Sequence, residues 1–164
     1  YTGPTGAFPT SLTNVTISGT STFSSTGQPY YNVVWGVGSQ NVFTATPTPL
    51  AFWSGTHTSQ GAGISFSANQ SFIVANAGIY IVSTSFYFQS SSAGIRRVTF
   101  NTGSISRIDD FLPQTAGNHN YTGTVLCKLE ANDIVYITVY QSSGGTLSLF
   151  GTTNENAFNI ARLF

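Results

Sequence analysis

Phe72-Ile73-Val74-Ala75-Asn76-Ala77-Gly78-Ile79-Tyr80-Ile81-Val82 carries the reading of the fold. Two runs of β-branched and aromatic residues flank an Ala/Asn/Gly turn, and neither run shows a helical apolar period. The segment predicts one strand over 71–74 and a longer one over 78–89. Working outward, the same grammar repeats. Strands are predicted over 31–37, 50–53, 64–67, 95–101, 105–112, 120–130, 134–141, 146–150 and 157–164. Turn clusters separate them: Thr46-Pro47-Thr48-Pro49, Ser91-Ser92-Ala93-Gly94, Ala131-Asn132-Asp133 and Ser143-Gly144-Gly145. About ten strands at this spacing predict an all-β domain, built as antiparallel sheets in a sandwich or barrel.

Two runs are continuously apolar, Ile79-Tyr80-Ile81-Val82 and Ile134-Val135-Tyr136-Ile137. A strand of a two-sheet monomer alternates apolar and polar residues. An apolar second face therefore predicts packing against another subunit.

Composition points the same way. Charged residues make up 6% of the 164, against about 25% in average globular domains. Polarity comes instead from Ser, Thr, Asn, Gln and Gly, and 13 Phe, 8 Tyr and 2 Trp add apolar bulk. Low charge weakens repulsion between copies and suits permanent assembly. The net charge of zero gives no attraction for nucleic acid. No apolar run approaches the ~20 residues of a spanning helix, so no membrane insertion is expected. The single cysteine, Cys127, excludes an intrachain disulfide and reads as a small buried hydrophobe. The chain holds no Met, and any targeting signal is expected upstream of Tyr1.

The N-terminal part differs. Gly3 and Gly6 keep a Gly-X-Y period with Pro4 at X and Thr5 at Y, and Pro9 ends it. That is the pattern of a collagen-like stalk. Residues 11–23 follow, rich in Thr and Ser, with Val15 and Ile17 alternating against polar residues. This segment has too few apolar residues for a core of its own; it suits a neck wound with two other copies, with a flexible linker as the alternative. The expected organisation is a stalk and neck over 1–29 and a head over 30–164.

Four segments, in order, carry a family resemblance. They are Pro49-Leu50-Ala51-Phe52-Trp53-Ser54, the Phe72-to-Tyr80 element, Leu129-Glu130-Ala131-Asn132-Asp133-Ile134-Val135, and the closing Phe158-Asn159-Ile160-Ala161-Arg162-Leu163-Phe164. Together they resemble the complement-one-q and tumour necrosis factor superfamily of trimeric jelly-roll heads. Asn132 and Ala161 stand where that family favours Gly. Asn tolerates a left-handed backbone, so the first change is physically mild.

The resemblance implies a two-sheet jelly roll and a homotrimer in which aromatic side chains of inward strands meet about the three-fold axis. Tyr80, Phe86, Tyr136 and Phe158 are candidates for trimer-core or structural roles. Gly78 is expected to turn the chain into a strand, and Asp133 to fix a turn through backbone N–H groups. The Gly-Pro-Thr triplet resembles bacterial spore filaments or large-virus fibres. The neck resembles viral fibre sequences. A non-enzymatic fibre head on a virion or cell surface follows, attaching to a glycan or protein receptor. A carbohydrate-binding module and a spore-filament head are the alternatives.

No cofactor is expected. His57 and His119 lie in polar, loop-like stretches without metal-ligand spacing. Asp109 and Asp110, with Asn118 and Asn120, could offer oxygens to calcium, but the adjacent acids should take opposite faces of a strand. The same alternation splits Arg96 from Arg97, one exposed and the other paired at a subunit boundary. A glycosidase needs two facing carboxylates, and only Asp109, Asp110, Glu130, Asp133 and Glu155 exist. Trp53, His57, His119 and Tyr121 are the candidates for stacking a sugar. Asn14, Asn69 and Asn120 open glycosylation triplets, which arise readily in such a composition.

Overall fold

The computed structural model describes residues 28–34, 38–51, 56–67, 70–103, 105–112, 118–151 and 157–163; of 105–112 and 151 it describes the backbone. The expected stalk and most of the neck (1–27), Trp53, Asn69 and Glu155 lie outside the described residues.

Among the described residues, thirteen strands form two sheets. In the first, β10 (His119–Leu129), β7 (Gly78–Phe88), β13 (Ala157–Arg162), β1 (Tyr30–Val34) and β4 (Thr56–Gln60) lie side by side. Beyond the end of β13, β7 pairs with β12 (Leu147–Gly151), which carries β2 (Gly38–Val42). The second sheet runs β5 (Ile64–Phe66), β6 (Phe72–Val74), β11 (Ile134–Gln141), β8 (Arg96–Thr102) and β9 (Ile105–Leu112), with β3 (Thr48–Pro49) also on β11. Every paired strand is antiparallel. The chain crosses between sheets at every step from β2 to β5, from β6 to β8 and from β9 to β12. That crossing pattern is a jelly roll.

The inward sets of the two sheets make one core. Tyr80, Val82, Phe86 and Phe88 of β7 meet Val135, Ile137 and Val139 of β11 within a single cluster that includes Phe72, Phe100 and Phe158. The Phe72 and Phe158 rings join the sheets in close contact, tilted by 39° with centroids 4.3 Å apart.

Several expectations need correction. β2 and β4 were absent from the sequence reading, because GSQNV and THTSQ carry almost no apolar alternation. Both histidines are in strands, not loops: His57 in β4 and His119 in β10. Of the strand expected at 50–53, Leu50 and Ala51 follow the short β3 without strand pairing and 52–53 lie outside the described residues; Leu50 is buried and donates its N–H to Ile137 O at 2.8 Å. Arg96 is neither exposed nor at a boundary. It is buried in its own subunit, donating to the carbonyls of Gln89 (3.2 Å) and Ser91 (3.1 Å) with its guanidinium over Phe88. Burial lowers its pKa from the ordinary arginine value.

Candidate functional site

Alternation places β7 residues 79, 81, 83, 85 and 87 away from the core, and Thr122, Thr124, Leu126 and Lys128 of β10 with them. Register then builds rows across five strands. One row reads Gln60, Tyr30, Ala161, Ile81, Leu126. The next reads Thr58, Asn32, Asn159, Ser83, Thr124, and a third reads Thr56, Val34, Ala157, Ser85, Thr122. None of these fifteen positions is charged. The middle strands carry Ala157, Ala161, Ser83 and Ser85, side chains small enough for another backbone to approach closely.

One end of this face is apolar. Leu126 is 63% exposed and Ile81, directly opposite, is 37% exposed. A groove of about 270 Å³ opens beside them, lined by Pro29, Tyr30, Gln60, Ala161 and Leu163 and by the charged Arg162. The centre is polar: Asn159 donates to Ser83 Oγ at 3.3 Å. Next to it, Asn32 Oδ1 is buried and, among the described residues, accepts no hydrogen bond. A buried acceptor left unpaired costs about 1–3 kcal/mol. At the margin, Lys128 and Glu130 form an exposed ion pair at 2.7 Å.

The outward face of the second sheet is different. Tyr136 opposes Asn101, Thr138 opposes Thr99, and Tyr140 opposes Arg97. The Arg97 guanidinium lies over the Tyr140 ring at 5.1 Å. Asn101 Nδ2 is held by Tyr136 O, Thr138 Oγ1 and Thr99 O. Ile134 and Tyr136 are 46% and 37% exposed.

The structure does not gather the six sequence candidates into one site. Tyr80, Phe86 and Phe158 are fully buried between the sheets. The Tyr80 hydroxyl donates to Asn76 O at 2.7 Å, and its pKa is raised by burial, against a smaller lowering by Arg162. Tyr136 lies on the outside of the other sheet. Asp133 fixes its turn as expected: Oδ2 accepts the Glu130 N–H at 2.8 Å. Gly78 opens β7 opposite Leu129, while the left-handed positions of this region are Asn132 (φ 71°) and Gly103 (φ 52°).

The other candidates also scatter. Tyr121 is buried against Phe86. His57 packs edge-on to Phe66, with Nδ1 at 3.2 Å from the Tyr31 hydroxyl oxygen. Asn118 Oδ1 accepts the Ser90 N–H. Asp109 and Asp110 register with Thr99 and Val98. Among the described residues no three His, Cys, Asp or Glu side chains cluster as metal ligands. Leu126 was missed as an exposed residue, yet a signal was present. It breaks the period-two pattern of Tyr121, Val125, Cys127 and Leu129.

No protein-family model and no curated protein matches this sequence. Solved structures do match. Eiger TNF from S. frugiperda is similar at a TM-score of 0.62 and 10% identity, covering 84% of this chain and 94% of that one. Murine APRIL is similar at 0.60 and 12%, covering 83% and 99%. The PRD1 vertex protein P5 is similar at 0.59 and 12%, covering 85% and 99%. The chain therefore has the tumour necrosis factor-like jelly-roll fold.

Proposed function

We propose that this chain is a non-enzymatic head that forms a homotrimer and caps a surface fibre, on a virion or in an extracellular filament. The observation that carries the reading is the three uncharged rows on the outer face of the first sheet, with Leu126 and Ile81 exposed side by side at their end. A cyclic trimer needs a heterologous contact, one patch of a subunit against a different patch of the next. Among the described strands β10 pairs only with β7, so it is a sheet edge bearing Leu126. The strip of Ala157, Ala161, Ser83 and Ser85 is the surface onto which a neighbour's edge can close. A donor from that neighbour would satisfy Asn32 Oδ1.

The fibre part rests on two further supports. The PRD1 relative in fold is a vertex protein, and Gly3-Pro4-Thr5-Gly6 has the collagen period. The division into a stalk and neck over 1–29 and a head over 30–164 belongs to the same proposal. Attachment to a host or surface ligand would then fall to the surfaces left uncovered.

Leu126→Asp tests the interface. A charge at a buried apolar contact opposes association, while an exposed position tolerates it. The expected result is a folded monomer in the variant and a trimer in the parent. An unchanged assembly state removes this face from the account.

A further inference from the structure

We propose that the outer face of β11 and β8 binds an acidic oligosaccharide, with Tyr136 as the sugar platform and Arg97 as the carboxylate site. The inference supplies a ligand class for the display role above and takes from it only that this face stays uncovered.

Arg97 is the only formal charge among the described side chains of this face. It forms no ion pair among the described residues, and its buried Nε has no hydrogen-bond partner there. In the register of β8 with β9, Arg97 opposes Phe111, while Asp110 and Asp109 oppose Val98 and Thr99. The Tyr140 ring beneath holds the guanidinium in place. A planar guanidinium fixed by stacking is suited to take a carboxylate in a bidentate pair.

Tyr136 lies four residues from Tyr140 on the same strand, about 13 Å at ~3.3 Å per residue. That is the reach of a di- or trisaccharide. Tyr136 offers an exposed ring for the apolar side of a sugar. Thr138 lies between the two ends, tied to Asn101 opposite Tyr136, and its hydroxyl together with the Asn101 amide oxygen is offered to ring hydroxyls. Charge selects the class. One cation suits a ligand with one carboxylate at its end, whereas nucleic acid or a highly sulfated polymer needs several.

The test is calorimetric titration of the 164-residue protein with sialyllactose, a trisaccharide bearing a single terminal glucuronate, and lactose. The first two present the same carboxylate from a sialic and a uronic sugar and tell those sources apart. The expected result is saturable binding of at least one acidic sugar, tenfold or more tighter than lactose. Arg97→Gln should erase that tenfold preference, as loss of a charged hydrogen bond does. Tyr136→Ala should weaken the acidic sugar about tenfold while the melting temperature holds. Should Arg97→Gln fail to fold, Arg97→Lys keeps the charge and must still lose most of the preference. No saturable binding of either acidic sugar, a lactose affinity equal to theirs, or binding that survives both substitutions overturns the proposal. Solution mass is read in the same buffer. A monomer that binds would sink the trimer and leave this inference standing, and a trimer that does not bind would do the reverse.

Discussion

A Cβ added to Gly103 would overlap the carboxyl group of Asp133. The two residues lock one end of the sandwich. Gly103 has φ 52° and donates its N–H to Ile134 O at 3.0 Å, while Asp133 accepts the Glu130 N–H. Gly103→Ala therefore incurs a left-handed penalty of about 1–2 kcal/mol and displaces the cap, worth about 1 kcal/mol more. Urea unfolding should show a loss of about 2–3 kcal/mol. Asn132→Gly relaxes the left-handed residue of the neighbouring β10–β11 turn and should change stability by less than about 1 kcal/mol, in the stabilising direction.

Phe158 and Tyr136 separate core from surface among the aromatic candidates. Phe158→Ala opens a cavity beside Phe72 and should cost about 3–5 kcal/mol. Tyr136→Ala truncates an exposed ring and should cost less than about 1 kcal/mol. Equal losses in the two variants, measured by denaturant midpoint at constant slope, would contradict the burial described here.

Cys127 sets an alkaline limit. Burial, followed by the nearby Asp133 charge, raises its thiol pKa from its ordinary value of 9.0 to about 11. The folded state therefore holds the proton where the unfolded state has released it. Its contribution is fully present below pH 9.0 and is lost as pH rises through about 11. Tyr80, also raised by burial, acts in the same direction at higher pH. Stability measured from pH 8 to 11 should fall, and Cys127→Val should flatten the slope. At pH 8 the thiol should react with a disulfide reagent far more slowly in the folded protein than in urea.

Association gives stability a concentration dependence, because anything that binds only the folded chain raises its melting temperature. The melting temperature of the parent should rise with protein concentration, and that of Leu126→Asp should not. Calorimetry over a hundredfold range of concentration reads both.

The sequence made the fold legible wherever strands combine an apolar face with turn residues. β7, β10 and β11 were placed almost to the residue, since Tyr80 and Val82, Phe86 and Phe88, and Val135, Ile137 and Val139 fall on alternate positions between clear turn residues. The Asp133 cap and the tolerance of Asn132 for a left-handed backbone were readable from side-chain chemistry alone. β4 was invisible because it is an edge strand whose residues are mostly exposed, so its partner β1 and not its own pattern decides it. The candidate site was only half legible. The doubly apolar runs around Ile81 and Ile134 signalled surfaces beyond the core, and both are exposed. That they lie on different sheets, facing opposite ways, follows from strand crossings no single segment encodes. Tyr136 and Arg97 came together through the register of β11 with β8, which pairs positions far apart in the chain.

The central claim is the trimer, and light scattering during size-exclusion chromatography tests it most directly. The account predicts a single species near three times the chain mass of 17.4 kDa, unchanged on dilution through the micromolar range. A folded species at 17.4 kDa would contradict it, and the uncharged rows bearing Ile81 and Leu126 would then need another partner.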